Sequence, residues 1–221
     1  MGPWKFPPLY PILDAGLLPR DLTLRSETLA GLIPSLAEAG VGILQYHNKQ
    51  GDEAEILRDA EAIRSSAPPS LMLILNDYAE VVSQSGFHGV HLGQADMAAG
   101  RARDLLGPEA MIGLSTHNEA QLRAALEQPV DYIAIGPVFA TSSKANPDPV
   151  IGLDGVRLAR RLSLLPVIAI GGITPGNAAA VWGAGADSVA VISAIFGAGV
   201  DAAKSAAAFL REFERLQPSV H

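Results

Sequence analysis

The chain has 221 residues, 48% of them hydrophobic and 18% charged, and its 23 acidic side chains outnumber 16 Lys and Arg, giving a formal charge of −7. That composition supplies one sizeable core and is too apolar for a disordered chain. It offers no basic run to nucleic acid, and the absence of cysteine excludes disulfides, thiolate metal sites and Cys nucleophiles.

At the amino terminus, Met1 to Phe6 contains no apolar stretch of signal-peptide length. The longest apolar stretch, residues 188–200, is interrupted by Ser193, Gly197 and Gly199 and is too short to span a bilayer. The expectation is a cytoplasmic protein that meets no membrane and no nucleic acid. Whether it forms a homo-oligomer is left open.

Short runs rich in Val, Ile and Leu then recur along the chain at residues 9–13, 42–46, 71–75, 89–92, 111–114, 132–135, 166–170 and 188–192. Their apolarity is continuous rather than alternating, which is the mark of strands buried on both faces of a parallel sheet. Between them, residues 27–39, 54–65, 118–126 and 153–162 carry helical periodicity, and 194–216 reads as one long final helix. Eight strands with intervening helices predict a single α/β domain over residues 1–221, a closed (β/α)8 TIM barrel. The competing open doubly wound sheet needs a glycine-rich turn after its first strand, and Leu13-Asp14-Ala15-Gly16-Leu17 supplies none. Residues 147–149 suggest a mobile loop after the sixth strand.

In such a barrel the loops after the strands build the active site. The runs are followed by Asp14; by Gln45, His47 and Lys49; by Asn76 and Asp77; by Gln94 and Asp96; by Ser115 and His117; by Gly136, Thr141 and Lys144; by Gly171 and Gly172; and by Ser193. After the seventh and eighth strands, Gly171-Gly172 and Ile192-Ser193 lead from strand to helix, where backbone N–H groups can bind a phosphate without a cationic side chain. The bland alternative is a tight turn and a helix cap. Asp77 and Asp96 follow neighbouring strands and could converge on one hard cation such as Mg²⁺, which suits a diphosphate substrate; each could equally cap the helix that follows it. His88 and His91, within or beside the fourth strand, read as hydrogen-bonded structural residues as readily as functional ones.

With these residues placed, the chain resembles the thiamine phosphate synthase and thiazole tautomerase family over nearly its whole length. The likeness rests on Asn76-Asp77, Gly89-Val90-His91-Leu92-Gly93-Gln94 with Asp96, Ser115-Thr116-His117, Gly136-Pro137-Val138-Phe139 with Thr141 and Lys144, Gly171-Gly172-Ile173-Thr174-Pro175 with Asn177, and Ser193-Ala194-Ile195-Phe196. The resemblance implies that hydroxymethylpyrimidine diphosphate loses pyrophosphate to leave a pyrimidine carbocation, which the nitrogen of a thiazole phosphate captures. It implies Mg²⁺ on Asp77 and Asp96, and Gln45, His47, Lys49, Asn76, Ser115 and Lys144 around the pyrimidine diphosphate. Thr141, Ser143, Gly171, Gly172, Ile192 and Ser193 would surround the thiazole phosphate, with Lys144, Ser115 and His117 closest to the chemistry and the 139–151 loop closing over both substrates.

One departure matters. The second strand of the synthases usually ends Gln-x-Arg-x-Lys, and here it reads Gln45-Tyr46-His47-Asn48-Lys49. Arg gives a permanent forked contact to phosphate, whereas His offers one donor per ring nitrogen. Ser143 in place of the usual Thr keeps its hydroxyl. The alternatives are the tautomerase, which needs neither diphosphate nor metal, and a non-catalytic paralogue that binds thiazole phosphate or thiamine phosphate.

Overall fold

The computed structural model describes residues 5–141 and 148–217. Eight parallel strands close on themselves in chain order: β1 (Leu9–Asp14), β2 (Ile43–His47), β3 (Met72–Asn76), β4 (Gly89–Leu92), β5 (Met111–Thr116), β6 (Tyr132–Ile135), β7 (Val167–Ile170) and β8 (Ser188–Val191). Around them run α1 (Leu22–Glu38), α2 (Glu53–Ser66), α3 (Ala79–Ser85), α4 (Ala99–Leu106), α5 (Glu119–Leu126), α6 (Gly152–Leu162), α7 (Pro175–Gly183), α8 (Ser193–Phe196) and α9 (Ala202–Leu216). The expected TIM barrel is therefore the fold, and every apolar run lies on a strand within a residue or two of its expected ends.

The final helix is the correction. Residues 194–216 form two helices, α8 and α9, because Gly197 and Gly199 interrupt the helical stretch, Gly199 with φ of +74°, and Asp201 starts a new one. The Asp201 side chain accepts from Lys204 N at 3.0 Å, an ordinary N-cap.

Alternation along the strands splits the apolar residues into two cores. Leu9, Leu13, Leu44, Tyr46, Leu73, Leu75, Val90, Ile133, Val167 and Val189 face outward onto the helices, joining Leu29, Ile33, Ile56, Ile63 and Phe209. Phe6, Tyr10, Ile12, Ile43, Ile74, Tyr132, Ala134, Ile168 and Ala190 fill the barrel from within. The interior is packed rather than porous, and in this fold the carboxyl-terminal mouth is where the active site is built. No described helix is long and apolar enough to cross a membrane.

Candidate active site at the barrel mouth

The parallel register, with Asp14 beside His47, Tyr46 beside Leu75 and Asn76 beside His91, brings the strand ends to one mouth. At the end of β3 the chain turns sharply. Asp77 has φ of +66°, the only positive φ of a non-glycine among the described residues, and Asp is one of the few side chains that tolerates it. Its N–H donates to His91 O at 2.9 Å. The turn swings its carboxyl group against that of Asp96, within hydrogen-bonding reach.

Neither carboxylate caps a helix: α3 and α4 start from Tyr78 and Ala98, without a side-chain cap bond. Asp96 instead accepts from Gly93 N at 2.6 Å, and Lys49 Nζ lies 3.2 Å from Asp77 Oδ2. Burial, and next the facing Asp96, push the Asp77 carboxyl up to about 6. Asp96 stays below its ordinary range: burial opposes this, but its bonds with Asp77 and Gly93 N, and then Lys49, outweigh it. Lys49, Asp77, Tyr78, Glu80, Asp96 and Met97 line a cleft of about 370 Å³. No cluster of three or more His, Cys, Asp or Glu suited to a metal exists among the described residues. Two crowded carboxylates nevertheless fit Mg²⁺, which takes one or two carboxylates and fills its other positions with water and substrate phosphate oxygens.

Beside this cleft, Gln45 and Asn76 are both buried, and Gln45 Nε2 donates to Asn76 Oδ1 at 2.7 Å. Asn76 Nδ2 is buried without a hydrogen-bond partner among the described residues. A buried donor left unpaired is costly, and an acceptor on a ligand would satisfy it. His47 Nδ1 lies 2.7 Å from Asp14 Oδ2, while Asp14 Oδ1 accepts from Gly16 N at 2.8 Å. Behind β2, outside the barrel, Arg25 Nε donates to both oxygens of Asp59 at 2.8 and 2.9 Å, and Tyr46 OH also donates to Asp59. Asn48 links that network to the mouth. Its Nδ2 donates to Glu55 Oε1 at 3.1 Å, and its Oδ1 accepts from Gly51 N at 2.8 Å, folding the loop that carries Lys49.

Ser115, on β5, ends a chain of hydrogen bonds that crosses the barrel interior. Tyr10 OH and Tyr132 OH are 2.8 Å apart, Tyr132 OH and His91 Nδ1 3.0 Å, and His91 Nε2 and Ser115 Oγ 2.8 Å. Burial raises both tyrosines and presses His91 down to about 4, so its ring is neutral near pH 7. The reading of His91 as a hydrogen-bonded residue of the scaffold fits this placement. His88 Nδ1 accepts from Leu73 N at 3.0 Å, also a scaffold contact. Tyr10 and Tyr132 carry no signal in the sequence, since no spacing rule links residues so far apart. Gln94 Nε2 donates to Ser115 O at 2.6 Å, and His117 Nδ1 donates to Gly136 O at 2.8 Å, with Asp148 Oδ2 3.6 Å away.

Across the mouth, Gly171 and Gly172 have φ of +104° and +63°. A Cβ on Gly171 would lie 2.6 Å from Pro137 Cβ, and one on Gly172 2.6 Å from Ala140 O. These glycines therefore let the segment after β6 pack on the β7 loop, where Val138 N donates to Ile170 O and Phe139 N to Gly171 O. Thr141 stands half-buried at the end of that segment. Ser193 is exposed at the first position of α8 behind Ile192, and no side chain caps that helix. Ser143, Lys144 and the centre of the expected 139–151 lid lie outside the described residues.

The chain is similar to known proteins over nearly its whole length. Residues 9–195 match the family model described as thiamine monophosphate synthase. A thiamine-phosphate synthase of Koribacter versatilis is 48% identical over 207 residues, 94% of this chain and 96% of that protein. One from Agrobacterium fabrum is 45% identical over 174 residues, 74% of this chain and 79% of its own length. Among solved structures, a thiamine phosphate pyrophosphorylase from Pyrococcus furiosus superposes with a TM-score of 0.81 at 29% identity, covering 96% of this chain and 97% of that one.

Proposed function

The chain belongs to the thiamine monophosphate synthase family, and on that premise we propose that it joins hydroxymethylpyrimidine diphosphate to thiazole phosphate, releasing pyrophosphate and forming thiamine phosphate. The observation that carries this reading is the facing pair Asp77 and Asp96 beside Lys49 in an open cleft. A tautomerase acting on thiazole phosphate alone has no use for such a pair.

In the reaction the bond between the pyrimidine methylene carbon and the diphosphate oxygen breaks, and pyrophosphate leaves with the electron pair. The thiazole nitrogen then forms the new C–N bond. Mg²⁺ held by Asp77 and Asp96 would supply neutralisation of the charge that gathers on the departing pyrophosphate. Lys49 adds a positive charge at the same edge, on a loop held by Asn48. The unpartnered Asn76 Nδ2, oriented by Gln45, donates to an acceptor on the pyrimidine diphosphate. His47 stands where the synthases usually carry Arg, with its Nδ1 held 2.7 Å from Asp14 Oδ2.

The family likeness assigns the thiazole phosphate to Thr141, Gly171, Gly172, Ile192 and Ser193 on the opposite side of the mouth, and assigns Ser143 to the same ligand. Lys144, Ser115 and His117 complete the reacting centre. The protein's contribution is chiefly to hold both substrates in line within a fixed electrostatic frame, since a dissociating diphosphate requires no nucleophilic side chain.

The test is to supply both substrates with Mg²⁺ and to measure products. Thiamine phosphate and pyrophosphate in equal amounts are expected. A folded protein that binds thiazole phosphate and releases neither product would overturn the reading.

A further inference from the structure

The interior chain from Tyr10 to Ser115 has a direction, which a count of its hydrogens decides. Tyr132 is the only hydrogen-bond partner of Tyr10 OH among the described residues, and the Tyr10 side chain is wholly buried.

Two head-to-tail arrangements satisfy the distances, and a third, in which Tyr132 accepts from both neighbours, strands its own buried hydrogen. In the first, Tyr10 donates to Tyr132, Tyr132 donates to His91 Nδ1, and His91 Nε2–H donates to Ser115 Oγ; every buried hydrogen is used. In the second the order is reversed, and Tyr10 is left with a buried O–H and no acceptor. A doubly protonated His91 would turn Tyr132 around in the same way and strand the same hydrogen. Leaving a buried donor unmade forfeits its full solvation, whereas the first arrangement loses nothing.

We infer that Tyr132 and His91 are positioning residues for the synthase reaction: Tyr132 holds His91 as the Nε2–H tautomer, so that Ser115 receives a hydrogen bond from below and keeps its own O–H for an acceptor on the pyrimidine diphosphate. Ser115 is only half-buried, and the carbonyl of the same residue is taken by Gln94, so the mouth is the side from which an acceptor can reach its hydroxyl. A serine whose hydrogen was spent on His91 would meet a diphosphate oxygen lone pair to lone pair. The chain thus sets the polarity of the site from the far side of the barrel, through side chains that never touch substrate.

The role of Ser115 toward substrate rests on the function proposed above, and the first experiment is independent of it. Nitrogen-15 NMR of the histidine-labelled protein reads the tautomer of His91 directly, with His91→Gln used to assign its signals. The expected result is a protonated Nε2 and an unprotonated Nδ1; a protonated Nδ1 overturns the inference whatever the protein catalyses. Tyrosine-to-phenylalanine variants supply the second test. Tyr132→Phe removes the donor to Nδ1, and should lower kcat about tenfold, with the KM for the diphosphate within about twofold, the scale on which residues that orient a contact group act. The loss should vanish in a Ser115→Ala background. Tyr10→Phe keeps the direction intact and should leave both kcat and the His91 signals near wild type. Equal losses in the two phenylalanine variants would overturn the proposal. Absence of product from the wild type would overturn the function, while the tautomer seen by NMR would still decide the direction of the chain.

Discussion

Two charged clusters flank β2, one behind it and one in front, and they are built on opposite terms. Behind the strand, Arg25, Asp59 and Tyr46 are buried, and opposite charges satisfy each other: Asp59 takes both forks of Arg25 and the phenol as well. In front, at the mouth, two carboxylates face each other, a buried amide hydrogen has no acceptor, and Asp77 sits on a strained backbone. The rear cluster is complete as it stands and belongs to stability. The front cluster is complete only when something cationic and something rich in acceptors arrive, which is the physical content of calling it a site.

Disrupting the rear cluster should have the largest effect. Asp59→Ala strips a buried guanidinium of its two-oxygen partner, leaving it only the partly exposed Glu55 carboxylate at 3.1 Å, and should cost about 3 kcal/mol of stability, read by chemical denaturation. The folded fraction should keep its kcat, and a selective loss of kcat would mean that the rear cluster reaches into the chemistry.

Disrupting the front cluster should do the reverse. Asn tolerates positive φ as Asp does, so Asp77→Asn removes charge with little backbone penalty. Turnover should fall by about 100-fold or more, the scale on which a missing charge-stabilising group acts. The pH dependence of stability adds a sign. The folded pKa of Asp77 is about 6 against an ordinary 3.8, so ionising it in the folded protein costs stability that sets in as pH rises from about 4 to 6. Without Mg²⁺, Asp77→Asn should therefore melt higher than wild type above pH 6, by a few degrees, and the gap should close at pH 4. A variant that melts lower at pH 7 would contradict the crowded-carboxylate reading.

The smallest effect is expected at His47, on the edge of the front cluster. His47→Arg should lower the KM for the diphosphate by about three- to tenfold, since a guanidinium offers two parallel donors where the imidazole offers one. An unchanged KM would mean that the Asp14–His47 pair already serves the phosphate as well as Arg does.

Much of this is legible in the chain. Continuous apolar runs mark the strands because a closed parallel barrel buries both their faces, and the polar and glycine residues after the runs mark the mouth because the loops at the strands' carboxyl ends build the site. The expectation of one helix over residues 194–216 goes wrong because the alanine-rich composition there masks the breaks at Gly197 and Gly199 and the fresh start at Asp201. The choice between cap and ligand at Asp77 and Asp96 is not legible either: both are a few residues before a helix, and only the turn at φ +66° shows that Asp77 points at Asp96 instead. Asp59 pairs with Arg25 across 34 positions and Tyr132 with Tyr10 across 122, contacts that packing alone creates.

Whether Asp77 and Asp96 hold the cation under a departing diphosphate is tested most directly by a Mg²⁺ titration of thiamine phosphate formation in wild type and Asp77→Asn. Cation binding by the pair predicts no turnover in chelator, saturable activation of the wild type, and a variant that needs far more Mg²⁺ and never reaches the same rate. Equal activation curves, or turnover that persists in chelator, would contradict it.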